Sequence, residues 1–219
     1  MTKPTTYVLV VTDMSGSMCG LEEEIRAGLN NYISDLREDK EANGTRYRVS
    51  LTVFDTKFEP LCIAVRLADV PRLTEANYSP RGMTALLDAV GKTVTEFGTA
   101  VTLTPEDRVL LVIQTDGEEN SSQEFGWEAI KELLEAKEKT GQWAIVYLGQ
   151  GVNAWGQGQR FGKGVQIVNS SNTKGSTSAH YSGLTMSTLD YSKGGSSRSV
   201  GETIANTPGV TDPNAPATS

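Results

Sequence analysis

Five oxygen-bearing side chains, carried on three separate segments, have the types and spacing to hold a hard cation. In Asp13-Met14-Ser15-Gly16-Ser17 a carboxylate and two hydroxyls recur at every second residue. Arg81-Gly82-Met83-Thr84 brings a third hydroxyl, and Gln114-Thr115-Asp116-Gly117 a second carboxylate. Two carboxylates and three hydroxyls form an oxygen-only donor set, the kind that suits Mg²⁺ and, as alternatives, Mn²⁺ or Ca²⁺. Asp, Ser and Thr are also ordinary helix caps and turn formers. Capping, however, does not require three distant segments to converge.

The elements around these segments say where they meet. Tyr7 to Val11 is a β-branched-rich run of the sort found in strands buried on both faces. Leu21 to Leu36 places apolar residues at 25, 29, 32, 33 and 36, which is helical spacing. Tyr47 to Phe54 and Leu61 to Leu67 both alternate, and the short gap between them predicts an antiparallel hairpin at one sheet edge. Thr84 to Thr99 reads as a helix, Val109 to Ile113 as a buried strand and Gln123 to Lys139 as a helix. Ala144 to Leu148 and Val165 to Val168 supply the last strands. Strands alternating with helices predict a doubly wound α/β domain: a mostly parallel central sheet with one antiparallel edge strand and helices on both faces. Ligands of such sheets bind outside the carboxyl ends of the strands. Asp13, Ser15 and Ser17 follow the first strand and Asp116 follows the 109–113 strand, so the donors gather on that rim.

Asp13-x-Ser15-x-Ser17, Gly82-x-Thr84 and Thr115-Asp116-Gly117, in that order, resemble the metal-ion-dependent adhesion site of von Willebrand factor A (VWA) domains. The likeness spans roughly residues 5–170. The runs Pro80-Arg81-Gly82-Met83-Thr84-Ala85-Leu86-Leu87-Asp88-Ala89 and Thr115-Asp116-Gly117-Glu118-Glu119-Asn120 are most similar to stand-alone prokaryotic and phage-encoded members. The resemblance implies that Ser15, Ser17 and Thr84 coordinate a divalent ion through their hydroxyls, while Asp13 and Asp116 hold it largely through ordered waters. Such an ion stays electrophilic, and an Asp or Glu from a protein partner completes its coordination. The implied function is metal-dependent protein–protein binding within a larger assembly. The alternative is a structural component of a phage virion or similar particle.

Enzymatic signatures are absent from the sequence, and no catalysis is expected. Ser15 stands where a haloacid-dehalogenase-like phosphatase needs a second Asp. Gly91-Lys92-Thr93 lacks the Gly five residues before the lysine that a phosphate loop requires, since Leu87 is there. Gly156-x-Gly158-x-x-x-Gly162 has the wrong spacing for a dinucleotide fingerprint. No Gly-x-Ser-x-Gly elbow exists, and the single His180 sits in a Ser/Thr-rich stretch where a solvated or locally hydrogen-bonded ring is expected. Glu118 and Glu119 read as exposed loop charges, and Glu22-Glu23-Glu24 as complements to a helix dipole. Cys19 reads as a small buried residue.

The chain has 219 residues, 37% hydrophobic and 21% charged, and its 20 Lys+Arg against 27 Asp+Glu leave a net charge of −7. That balance argues against nucleic acid, whose phosphates need clustered basic residues. Cys19 and Cys62 sit in no metal-binding or disulfide pattern. The residues before Asp13 are too short for a secretion-signal core, and no apolar run approaches the length of a membrane span. The expectation is a cytoplasmic protein without membrane insertion, or alternatively part of a virion.

Composition changes near residue 170. From Thr173 to Ser219 three positive charges (Lys174, Lys193, Arg198) balance three negative ones (Asp190, Glu202, Asp212), so the net charge belongs to what precedes. A neutral segment rich in Ser, Thr, Gly and Pro buries too little apolar surface to offset its ordering entropy. The division expected is a VWA domain over 1–172 and a C-terminal segment over 173–219. That segment has a short helix possible at 177–191 and an extended arm for the remainder, docked on partners.

Overall fold

A computed structural model describes residues 3–150, 154–170 and 175–210. Six strands form one sheet in the order β3-β2-β1-β4-β5-β6. These are β1 (Thr6–Asp13), β2 (Tyr47–Phe54), β3 (Phe58–Arg66), β4 (Arg108–Thr115), β5 (Trp143–Gln150) and β6 (Gln166–Ser170). All neighbours run parallel except β2 and β3, the expected antiparallel pair at one edge. The doubly wound α/β architecture read from the alternation is the one found.

The chain leaves β1 toward β2 on one side and reaches β4 on the other, so the order reverses between β1 and β4. That reversal opens a crevice at their carboxyl ends. Register puts Thr12 beside Gln114. Asp13 and Thr115 therefore leave their strands together at the crevice.

Two apolar layers cover the sheet. On one face α1 (Glu22–Asn43) packs through Ile25, Leu29, Tyr32, Ile33 and Leu36 onto Val8, Val10, Leu51 and Val112. On the other, α2 (Leu86–Ala100) and α3 (Trp127–Glu138) cover Leu9, Val11, Leu111 and Ile145 through Val90, Val94, Phe97, Ile130 and Leu134. A short helix, α4 (Ala154–Gln159), follows β5. Both α2 and α3 begin later than periodicity predicts. Residues 84–85 and 123–126 are held instead as loops by side chains of the site described below.

The Ser/Thr-rich segment departs furthest from expectation. α5 (Ser176–Ser192) matches the helix expected at 177–191. Beyond it, the extended arm is replaced between Ser199 and Ala205 by a further helix, α6. Tyr181, Leu184, Tyr191, Val200 and Ile204 are buried in the same apolar layer as α1. Composition misled because α1 leaves room for the contact. A Cβ on Gly28 would lie 2.2 Å from the Tyr181 ring, so glycine there lets the two helices meet closely. Small residues on α5 do likewise: a Cβ on Gly183 would lie 2.9 Å from the Ile204 backbone of α6. The expected arm over residues 211–219 lies outside the described residues.

His180 is the second departure. It is fully buried, and among the described residues neither ring nitrogen has a hydrogen-bond partner. Burial lowers its pKa to about 4. Cys19 is exposed instead of buried, because the short 3-10 turn at Gly16–Met18 points Met18 into the core and turns the next residue outward.

Candidate functional site

All five predicted donors converge on the crevice between β1 and β4. Asp13 closes β1, and its carboxylate is fully shielded. One oxygen accepts the Ser15 backbone N–H at 2.6 Å, the other the Thr115 hydroxyl at 2.5 Å. Across the crevice Asp116 Oδ1 accepts the Ser17 hydroxyl at 2.7 Å, and Ser15 Oγ lies 3.0 Å from Ser17 Oγ. A hydroxyl has one hydrogen. Ser17 spends its own on Asp116, so Ser15 donates in the serine pair. Both lone pairs of Ser15 and one of Ser17 are then left to face a cation.

Thr84 enters from the far side, and Gly117 shows how close it comes. A Cβ built on Gly117 would lie 2.9 Å from Thr84 Oγ1, 3.0 Å from Ser17 Oγ and 3.5 Å from Asp13 Oδ2. Donors from all three segments thus surround one small space, and only glycine at 117 leaves it open. The oxygen-only donor set and the clear space fit a divalent ion. Among the described residues no three Asp, Glu, His or Cys side chains gather as a metal set. An ion here would therefore depend on the hydroxyls and on water as well as on the two carboxylates.

The electrostatics agree with that fit. Burial raises the Asp13 pKa to about 6, and the Asp116 charge adds to the rise. Burial likewise raises that of Asp116. A fully buried carboxylate beside a partly buried one favours a cation between them. Arg81, on the loop that carries Thr84, is already engaged: it donates to Asp55 at 2.8 Å and to Glu59 at 2.5 Å.

A second ring of residues positions the donors, and sequence reading missed it. Asp55 is buried, pairs with Arg81 and accepts the Lys57 N–H at 2.6 Å. Arg81 N–H meets the Met14 carbonyl, and Gly16 N–H the Gly82 carbonyl, so the Thr84 loop is tied to the Asp13 loop. Gly82 adopts φ +68°, and a Cβ there would lie 2.9 Å from Thr56 Oγ1, which explains that glycine. Tyr78, fully buried, donates its hydroxyl to the Asp13 carbonyl at 2.6 Å.

On the α2 side, Asp88 accepts the N–H groups of Gln123, Glu124 and Phe125, each at 2.9 Å. Burial opposes its charge, but these bonds prevail and hold its pKa below the ordinary value. Asn120 Oδ1 accepts the Thr84 N–H at 2.9 Å. Glu119 corrects the sequence reading, for it is no idle loop charge. Its carboxylate accepts N–H groups of Leu87, Ser121 and Ser122 and the Ser122 hydroxyl, pinning the loop to the start of α2. Gln157 of α4 clamps the same loop: its amide accepts the Glu119 N–H at 2.7 Å and donates to the Gly117 carbonyl at 2.8 Å and Tyr147 Oη at 2.9 Å. The sequence signals were the family-like runs at 80–89 and 115–120, which contain Asp88, Glu119 and Asn120 without showing what they hold.

No protein-family profile matches the chain. No curated protein sequence matches it either. Solved structures do. The PilB minor pilin of Streptococcus sanguinis superposes with a TM-score of 0.62 at 14% identity, over 86% of this chain and 62% of that one. The pilus adhesin SpaC of Lactobacillus rhamnosus GG gives 0.63 at 15%, over 87% and 30%. A von Willebrand factor type A protein of Catenulispora acidiphila gives 0.58 at 13%, over 85% and 43%. The chain thus spans less than two thirds of the length of each. At such identities the likeness establishes the fold alone, a doubly wound α/β fold like that of the von Willebrand factor type A protein.

Proposed function

We propose that the protein binds a divalent cation, Mg²⁺ foremost, at Asp13, Ser15, Ser17, Thr84 and Asp116, and uses it to capture an acidic side chain of a protein partner. The observation that carries this reading is the space beside Gly117, ringed by oxygens from three chain segments. Ser15, Ser17 and Thr84 would face the ion with hydroxyl lone pairs. Asp13, both of whose oxygens already accept hydrogen bonds, suits a role through water. A bound ion supplies an electrophilic point on which a carboxylate can close. The chain's own residues keep that point dry on the sheet side and open to solvent beside Ser17, which is exposed.

The reading makes the chain a binding module and not an enzyme, working within a larger assembly. Pilus-associated proteins among the structural neighbours support an assembly role. The particle alternative leaned on an extended C-terminal arm, and α5 and α6 instead pack on their own sheet through residue 205. Capture of partners from the native source with and without EDTA tests the proposal. Partners retained in Mg²⁺ and lost in EDTA are expected. The same partners at full yield in EDTA would end the metal-bridge reading.

A further inference from the structure

At the opposite end of the sheet from the metal rim lies an open-sided hollow of about 370 Å³, lined by Thr5, Tyr7, Arg46, Arg48, Ile63 and Val101 among others. Asp13 lies six steps along β1 from Tyr7, which places the hollow roughly 20 Å from the metal rim. Arg48 lies beside Tyr7 in register, and Arg46 lies two residues before it, just ahead of β2. Each guanidinium uses one hydrogen bond on backbone: Arg46 to the Lys3 carbonyl at 3.2 Å, Arg48 to the Ala64 carbonyl at 3.3 Å. Neither forms an ion pair among the described residues.

The neighbouring charges are already spent. Arg66, opposite Arg48 on β3, pairs with Asp69 at 2.8 Å. Asp107 is buried and accepts the Thr5 and Thr104 N–H groups at 2.7 and 2.8 Å. Burial and Asp107 raise the Tyr7 pKa, while Arg48 and Arg46 draw it back, so both cations lie close to the phenol. Ala64 is the one non-glycine residue with positive φ among the described residues, at +47°. This unfavourable conformation sits where β3 bulges against β2, and the Ala64 carbonyl is the one that anchors Arg48.

We propose that this hollow is a second binding site, taking a carboxylate side chain of an acidic protein segment. Two guanidinium forks, each with most of its donors unused among the described residues, match the planar carboxylate. Ile63, exposed by 36%, and Val101 give the wall an apolar surface for the methylenes and neighbours of the acidic residue. A bare inorganic anion would use only the guanidinium forks and leave that wall unfilled. The site stands apart from the metal reading, because it needs no ion and lies at the other pole.

The test is an amide-resonance titration of the full chain with a capped hexaglutamate peptide in EDTA, which silences the metal rim, and in parallel with inorganic phosphate. Expected are shifts at Tyr7, Arg48, Ile63, Ala64 and Val101, weakening with added salt. The double variant Arg46→Gln/Arg48→Gln should lose affinity at least about tenfold, with unchanged melting and Mg²⁺ titration. Unmoved resonances at the hollow, undiminished binding by the double variant, or phosphate binding as tightly as the peptide would each overturn the proposal.

Discussion

The oxygen-lined rim and the layer beneath α5 both bury polar groups against the same sheet, yet the rim's carboxylates and the histidine under α5 fare differently. At the rim the described carboxylates are matched by donors: Asp88 takes three backbone N–H groups, Glu119 four donors and Asp13 two. Beneath α5, His180 keeps both ring nitrogens unpartnered among the described residues, and Gln114 Nε2 and Gln150 Oε1 are also unmatched. Other polar groups of that layer are paired: Tyr181 donates to Gln114, Gln150 to Thr177 and Thr185 to Asp35, and the Tyr32 and Thr188 hydroxyls lie 2.9 Å apart. A buried group without a partner costs about 1–3 kcal/mol. The carboxylates of the rim are therefore held in place by hydrogen bonds, whereas α5 combines apolar packing and hydrogen bonds with a polar penalty at His180.

The largest effect should come from removing what holds that layer shut. Ending the chain at residue 193 takes away Val200 and Ile204, both essentially inaccessible to solvent. The loss of their burial should cost on the order of 3–6 kcal/mol. Thermal denaturation is expected to show a drop of many degrees. A truncated chain melting like the full one would mean that α6 contributes little and that the contrast between the two regions is wrong.

Gly117→Ala should act on the other region alone. Its methyl group would fall among Thr84 Oγ1, Ser17 Oγ and Asp13 Oδ2. Mg²⁺ affinity should fall by about 100-fold, or ~3 kcal/mol, with little change in the melting temperature of the metal-free protein. Affinity within a factor of two of the parent would show that the space is not where the ion sits.

The pH dependence sharpens the contrast. Burial lowers the pKa of His180 to about 4 from 6.5, so the unfolded chain binds its proton first. The stability linked to neutral His180 is whole above pH 6.5 and is lost as pH falls from 6.5 toward 4, by up to about 3 kcal/mol. His180→Leu should flatten that part of the melting profile. Parent and variant profiles that run parallel between pH 7 and 4.5 would contradict it.

A smaller effect is expected from Gln157→Ala, which frees the Gly117 carbonyl and the Glu119 N–H from their clamp. Mg²⁺ binding should weaken by about 3- to 10-fold, the value of a lost positioning hydrogen bond. Unchanged affinity would confine the positioning role to Asp88, Glu119 and Asn120.

The same contrast explains what was legible in the sequence. The convergence of the five candidate donors was readable because they lie in short-range patterns, two segments following β1 and β4 and the third directly ahead of α2. The core strands were readable because Val8–Val11 and Val109–Ile113 are continuous apolar runs. Asp88 and Glu119 were not, since what they do depends on backbone N–H groups that only the fold brings near. Asp88 meets its partners 35 to 37 residues away. α6 was hidden for a different reason. Its segment is poor in apolar residues, and it is ordered by a few well-placed contacts on glycines that read as flexibility in the sequence.

Calorimetric titration of Mg²⁺ into the full chain and into Asp13→Ala tests the central claim most directly. One saturable site in the parent and none in the variant is the result expected, because Asp13 both balances the charge of the ion and fixes Ser15 and Thr115. No binding by the parent, or equal affinity in the two proteins, would contradict the assignment of the crevice as a metal site.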